Sequence, residues 1–400
     1  AEKGCLRAHR ERPAQPLVCS RVPVTMPRTL TALVALALLA VLAPASASAA
    51  KRSVPQAFYG ANWDNEISEN APASLVDAQW ARMARSGVEA TRTSFVWATA
   101  QPDPGGPIGF ARTDRLVTLA TLHGIELLPI VILAPPWARE NGADFSPPRN
   151  PAEYAAYLTA LVRRYGPQGS FWGEHPELKK RPLRKWQIWN EPHLGFQWTK
   201  PENEDYAKGY GALLRPAYRA VHAADPHASV VLAGLSNYSW RYLEDLYSRG
   251  HIRGYYDIAA VHPYTRTASG VVEIARRFRA VMAKHHDGRK RLWITELGLP
   301  ASRGKQDSNN VLQTTDSGMA KFLTGSYAGV ANTRRRLSVG VSRVYWYTWA
   351  STYCCDIFRY TGLLAYNNKD SVAARPAYTA YVRSARRAEG CTKADSGACR

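Results

Sequence analysis

Two glutamates close short apolar runs in this sequence. Glu191 ends Trp186-Gln187-Ile188-Trp189-Asn190-Glu191-Pro192, and Glu296 follows Leu292-Trp293-Ile294-Thr295. They are remote along the chain, so only a tertiary fold can bring them together. A strand of a parallel barrel delivers the residue at its carboxyl end to one face of the molecule. If the first run is strand four and the second strand seven, the two carboxyl groups face each other across the barrel mouth. Facing carboxylates suit one chemistry well: one protonates the leaving oxygen of a glycosidic bond while the other attacks the anomeric carbon or activates water. The Asn-Glu-Pro tripeptide recurs by chance, and either glutamate alone reads as a salt-bridged loop residue. Their joint position at two strand ends is what makes Glu191 and Glu296 candidate catalytic groups.

The rest of the chain supplies the elements such a pair needs. Short apolar or β-branched runs alternate with longer amphipathic segments, the pattern of β/α units and a parallel sheet. Strands are predicted over Phe58–Trp63, Glu89–Phe95, Glu126–Leu133, Lys185–Trp189, Ser229–Leu235, Ile258–His262, Leu292–Thr295 and Arg343–Thr348. Several lack strict alternation, as strands buried on both faces do. Between them, Ala73–Arg85 sets Leu75, Val76, Trp80 and Met83 at helical spacing before Gly87. Further helices are predicted from Pro151 to Gly166, over Val271–His285 and over Pro376–Arg386. The pattern predicts an α/β fold, a single-domain (β/α)8 TIM barrel over residues 51–388, with a short polar tail over 389–400. No Gly-rich loop follows the first strand, which disfavours an open doubly wound sheet.

The N-terminal region reads differently. Met26, Arg28, the apolar run Leu30–Leu42 and the small residues Ala43–Ala50 have the layout of a secretory signal peptide over 26–50. The run has 13 residues, short of the roughly 20 of a membrane span. Residues 1–25 read as an upstream segment outside the fold, and the protein is expected to be extracellular.

The 400 residues include 12 Trp and 21 Tyr and carry a formal charge of +20. Residues 1–49 hold six Lys/Arg and two Asp/Glu, leaving +16 on the remainder. That field could hold the protein on an anionic cell wall or favour an acidic glycan. The basic residues are spread over predicted outer helices (Arg276, Arg277, Arg279, Arg334, Arg335, Arg336) rather than interleaved with aromatics, so nucleic acid is not expected as a partner. Beyond residue 50 the cysteines are Cys354, Cys355, Cys391 and Cys399. Export permits disulfides: Cys391 is expected to pair with Cys399, and adjacent Cys354 and Cys355 are a vicinal disulfide or free thiols. None has zinc-type spacing, and neither a metal nor a cofactor is expected.

From Gly60 to about Tyr381 the chain resembles glycoside hydrolase clan A. The resemblance rests on Arg92 after strand two, Asn190-Glu191, His262 and Tyr264 in Val261-His262-Pro263-Tyr264, Glu296, and Trp349 after strand eight. It is greatest to family 39, with family 5 next; where family 39 often has Asn after the motif's Pro, this chain has His193. The resemblance implies a retaining enzyme with Glu191 as acid/base and Glu296 as nucleophile. A family 39-like β-glycosidase is expected, with a family 5-like endo-β-glucanase or mannanase as the alternative. Arg92 and Tyr264 are expected to keep Glu296 ionised, and the Glu296 charge to raise the pKa of Glu191. Asn190 is placed for the sugar 2-hydroxyl, and His262 for Glu296 or sugar hydroxyls. Trp349, Trp137 and Trp97, with Trp63, Trp198 and Trp346, are candidate stacking platforms, whereas Trp189 and Trp293 are expected to fill the barrel. A catalytically inactive carbohydrate-binding protein is the rival of another class; loss of a glutamate would be its signature, and both are present.

Overall fold

The computed structural model describes residues 51–64, 66–200, 204–306, 311–352, 356–367 and 371–390. The expected signal peptide, the segment before it, Cys354, Cys355 and the tail with Cys391 and Cys399 lie outside the described residues.

Eight parallel strands form a closed barrel in sequence order. They are β1 (Tyr59–Asn62), β2 (Ala90–Val96), β3 (Glu126–Ile132), β4 (Lys185–Ile188), β5 (Ser229–Val231), β6 (Ile258–Val261), β7 (Arg291–Leu297) and β8 (Val341–Trp346). The seam closes where Tyr59, Gly60 and Ala61 of β1 pair with Val344, Tyr345 and Trp346 of β8. One main helix follows each strand: α1 (Ala73–Arg85), α2 (Ala111–Leu122), α3 (Pro151–Tyr165), α4 (Tyr206–Ala224), α5 (Ser239–Ser248), α6 (Ala268–Lys284), α7 (Asp316–Thr333) and α8 (Pro376–Glu389). The expected (β/α)8 barrel is therefore the observed fold. Among the described residues no helix is long and apolar enough to cross a membrane.

Local sequence explains how these elements start and stop. The face of α1 carrying Leu75, Val76, Trp80 and Met83 is buried, as its periodicity requires. Gly87, at φ +84°, then turns the chain toward β2. At the start of α3 the Asn150 side chain accepts from the Ala152 amide and Pro151 takes the first turn, where its missing N–H costs nothing. Inside the barrel, Trp293 and Tyr345 pack with Ala57, Ala90, Leu128, Val231, Ile258 and Ala260. Gly60 is part of that fit, because a Cβ there would lie 2.6 Å from both the Tyr345 ring and the Ala90 carbonyl oxygen. Trp293 thus fills the barrel as expected. Trp189 does not: β4 ends at Ile188, and Trp189, at φ +62°, joins the layer between sheet and helices against Tyr154 and Trp198.

One element has no counterpart in the sequence reading. After β8 the chain forms a small sheet of β9 (Ala350–Ser351), β10 (Leu364–Tyr366) and β11 (Val372–Ala374) before entering α8. It holds a short 3-10 turn, Ile357–Tyr360, at the barrel mouth.

Candidate active site

Arg92 on β2 is the hub of the site. It is buried, and its guanidinium donates in four directions: Nε to Gln187 Oε1 at 2.7 Å, Nη1 to Asn62 Oδ1 at 2.9 Å and Glu296 Oε1 at 2.7 Å, and Nη2 to Asn190 Oδ1 at 2.7 Å. A planar cation gripped on every side is fixed in orientation before any ligand arrives. The contact with Asn190 also fixes that amide: its oxygen faces Arg92, so its NH2 is left to face the cavity.

The turn after β4 places the first glutamate. Trp189 and Glu191 both lie in the left-handed region, at φ +62° and +41°, where non-glycine residues are uncommon and cluster at functional sites. The Glu191 amide donates to the Gly234 carbonyl at 3.2 Å, which holds the turn against the end of β5. Its carboxylate Oε1 lies 2.9 Å from His262 Nδ1, just past β6. The same nitrogen is 3.5 Å from Glu296 Oε2, and His262 Nε2 is 2.9 Å from Thr295 Oγ1. A hydroxyl both donates and accepts, so Thr295 accommodates a neutral or a protonated imidazole. Room for the ring comes from Gly234, where a Cβ would stand 1.8 Å from His262 Nε2.

Each oxygen of Glu296, within β7, receives one donor: Oε1 takes Arg92, and Oε2 takes the Tyr264 phenol at 2.7 Å. Burial opposes the charge on Glu296, but His262, Arg92 and the Tyr264 hydroxyl together hold its carboxyl below the ordinary value. Burial and the neighbouring Glu296 push Tyr264 well above the usual phenol range, so Tyr264 stays a proton donor. One oxygen each of Glu191 and Glu296 and a nitrogen of His262 all lie within 4.8 Å of one another. That spacing could hold a cation. However, the buried guanidinium already on Glu296 opposes a second positive charge there, and the set suits proton and nucleophile chemistry better.

Above these groups the mouth opens into a cavity of about 510 Å³. Among its described lining residues are the carboxyl side chains of Asp64, Glu191, Glu296 and Asp356, a single cation, Arg359, and the rings of Phe196, Tyr264, Tyr347 and Phe358. The net positive charge of the chain is therefore not concentrated in this cavity.

The structure brings together Glu191, Glu296, Arg92, Asn190, His262 and Tyr264. It does not place the anticipated tryptophans there. Trp349 is fully buried, its Nε1 toward Gln79 of α1 and its ring against Tyr378 of α8. Trp97 is fully buried as well, stacked on Tyr157 and edge-on to Trp137, and Trp137 Nε1 donates to the Gln101 carbonyl. Trp63, Trp198 and Trp346 are also core residues. The physical reason is common to all: an indole at the junction of a strand and its helix gains most by filling the space between the two layers. After β8 the rings that reach the cavity are those of Tyr347, two positions before Trp349, and Phe358. His193 is likewise not among the lining residues; its Nε2 lies 3.2 Å from Ser236 Oγ, its ring packs on Tyr242, and burial lowers its pKa to about 3.

Asn62, Gln187, Asp64, Phe196, Tyr347 and Phe358 were not anticipated. Two of them carried a usable signal. Gln187 is a polar residue inside an apolar strand, and Asp64 is a carboxyl group just past a strand end, the same criterion that singled out Glu191 and Glu296.

No protein-family model and no curated protein matches the sequence. Solved structures do match the fold. A family 39 glycoside hydrolase from the gut symbiont Bacteroides cellulosilyticus WH2 superposes with a TM-score of 0.61 at 18% identity, covering 82% of this chain and 63% of that one. A monomeric β-xylosidase from Caulobacter crescentus CB15 gives 0.60 at 17% identity, covering 83% and 69%. GH5_18 from Streptomyces cattleya, in complex with GlcNAc, gives 0.60 at 17% identity, covering 84% and 81%. What is shared is the barrel. The expected likeness to family 39, with family 5 next, is met by these neighbours, and the chain spans less than two thirds of the first.

Proposed function

We propose that this protein is a secreted, retaining β-glycosidase acting on an uncharged glycan. The observation that carries the reading is the pair Glu191 and Glu296, bridged by His262 with all three within 4.8 Å. Carboxyl groups about 5 to 5.5 Å apart suit double displacement, whereas 6.5 to 9.5 Å leaves room for the water of an inverting reaction. Secretion is supported by the signal-peptide layout of residues 26–50, and the neutral substrate by the predominance of carboxyl groups in the cavity.

The chemistry follows from the geometry. Glu296, its charge held by Arg92 and Tyr264, attacks the anomeric carbon from one side. Glu191 gives its proton to the departing oxygen from the other. In the glycosyl-enzyme ester Glu296 is neutral, and Glu191 then takes a proton from water as that water cleaves the ester. The Asn190 NH2, turned outward by Arg92, donates to the 2-hydroxyl, a contact that strengthens in the oxocarbenium-like transition state. A panel of aryl β-glycosides, with the first-formed sugar followed by proton NMR, tests the reading. Initial release of the β anomer is expected; release of the α anomer, or no turnover of any member, overturns it.

The phenol on Glu296 yields a separate prediction. Tyr264→Phe removes a donor to the charged form, so the Glu296 pKa rises and the acid limb of the kcat/KM profile moves to higher pH. At neutral pH kcat/KM is expected to fall about tenfold or more, as for loss of a hydrogen bond to a charged group. An unmoved acid limb would show that Tyr264 does not tune Glu296.

A further inference from the structure

One carboxyl group in the cavity has no part in bond cleavage. Asp64 lies two residues past the end of β1 and lines the same cavity as the two glutamates. Its Oδ2 accepts a hydrogen bond from Ser94 Oγ on β2. Ser94 is itself fastened: its carbonyl accepts from Arg112 Nη1 at 2.8 Å, and the Arg112 guanidinium is paired with Glu69. Among the described residues, Ser94 is the hydrogen-bond partner of Asp64, and the Asp64 side chain lines the cavity. A carboxyl group that lines an open cavity while one of its oxygens is held retains acceptor capacity for a ligand that donates hydrogen bonds.

The surroundings say where that ligand lies. The buried Tyr347 hydroxyl is within electrostatic reach of Glu296, Asp64 and Glu191 at once, and Arg92 is near enough to Asp64 to favour its charge. Asp64 therefore shares the glycone region with Glu296, on the side reached from β1. Asn190 lies two residues past the end of β4 and accounts for the 2-hydroxyl. Burial pushes the Asp64 carboxyl above its ordinary pKa despite the Ser94 hydroxyl and the nearby Arg112 and Arg92 guanidinium groups, and in either protonation state it can bond a sugar hydroxyl.

We propose that Asp64 is a specificity-determining residue that grips the glycone by the hydroxyls beyond O2 and so selects an uncharged sugar with a free 3- or 4-hydroxyl. This rests on the glycosidase reading. A hydroxyl on the sugar satisfies the carboxyl group, whereas a sugar lacking it leaves a half-buried polar group unpaired, and such sites reject the deficient analogue strongly. A uronic acid would bring a carboxylate into a cavity lined by four carboxyl groups, Asp64, Glu191, Glu296 and Asp356, against one cation, Arg359.

The test compares wild type, Asp64→Asn and Asp64→Ala on 4-nitrophenyl β-glucoside and β-xyloside, the 3-deoxy and 4-deoxy glucosides, and the β-glucuronide. For Asp64→Ala, kcat/KM on the parent sugars is expected to drop about 100-fold, with no more than a few-fold loss on the deoxy sugar that lacks the gripped hydroxyl. Asp64→Asn keeps the shape and an acceptor for Ser94; it should lose about tenfold on the parents with an unchanged melting temperature. Equal losses on parent and deoxy sugars, or a wild type that prefers the glucuronide, overturn the assignment while leaving a glycosidase. A wild type inert on every substrate overturns the glycosidase reading and this one with it.

Discussion

Glu296→Ala is expected to lower kcat by about 100,000-fold, the scale on which removing a covalent nucleophile acts, and sodium azide is expected to restore part of the rate while giving an α-glycosyl azide. The site explains both halves. Without the carboxylate no glycosyl ester forms, yet Glu191 and His262 remain in place to protonate a leaving group. Arg92 keeps its contacts with Asn62, Gln187 and Asn190, so its guanidinium stays oriented toward the vacated space. A small anion is drawn there and attacks from the face Glu296 occupied, which inverts the anomeric carbon once. Glu296→Gln is a useful companion, since it fills the volume without supplying a nucleophile and keeps the Tyr264 hydroxyl paired. Retained full activity, or a β-glycosyl azide from Glu296→Ala, would remove Glu296 from the nucleophile's role.

The barrel was legible because its strands are buried on both faces and so read as apolar runs, from Glu126–Ile132 to Arg291–Leu297, punctuated by helices with one apolar face. The two glutamates were legible for a related reason: each is a carboxyl group directly after such a run. Residues that depend on which way a side chain turns were not. Trp97, Trp137 and Trp349 are candidate platforms because they lie near strand ends and, for Trp349, because it matches the clan A position, but there a side chain can face either the cavity or the helical layer, and these indoles take the latter. Tyr347 reaches the cavity directly after β8, and Phe358 reaches it from the turn between β9 and β10; strands of two and three residues leave no periodicity to read. Asn62 looks like an ordinary polar position in a strand until Arg92 is seen beside it, whereas Gln187 stands out as a polar residue inside an apolar strand but shows no partner until Arg92 is placed. Even the strand rule failed at one residue: alternation would turn Trp189 inward, but its left-handed backbone ends β4 one position earlier.

The second large effect separates the two carboxyl roles. Glu191→Ala is expected to slow kcat/KM by about 1,000-fold on alkyl or sugar leaving groups, within the usual range for loss of a general acid, and by only a few-fold on 2,4-dinitrophenyl glycosides, whose phenolate departs without a proton. The asymmetry arises because Glu296 keeps Arg92 and Tyr264 and still attacks; what is missing is the proton on the opposite face. Hydrolysis of the ester also loses its base, so the dinitrophenyl substrates should show a burst of phenolate followed by a slow steady state. Azide should relieve that slow phase, because it needs no base to attack, and it enters through the gap left by Glu191 to give a β-glycosyl azide. Equal slowing of both substrate classes would deny Glu191 the acid's role. The azide products decide more than either rate alone: α from Glu296→Ala and β from Glu191→Ala place the two carboxyl groups on opposite faces of one sugar, as their positions on β7 and after β4 require.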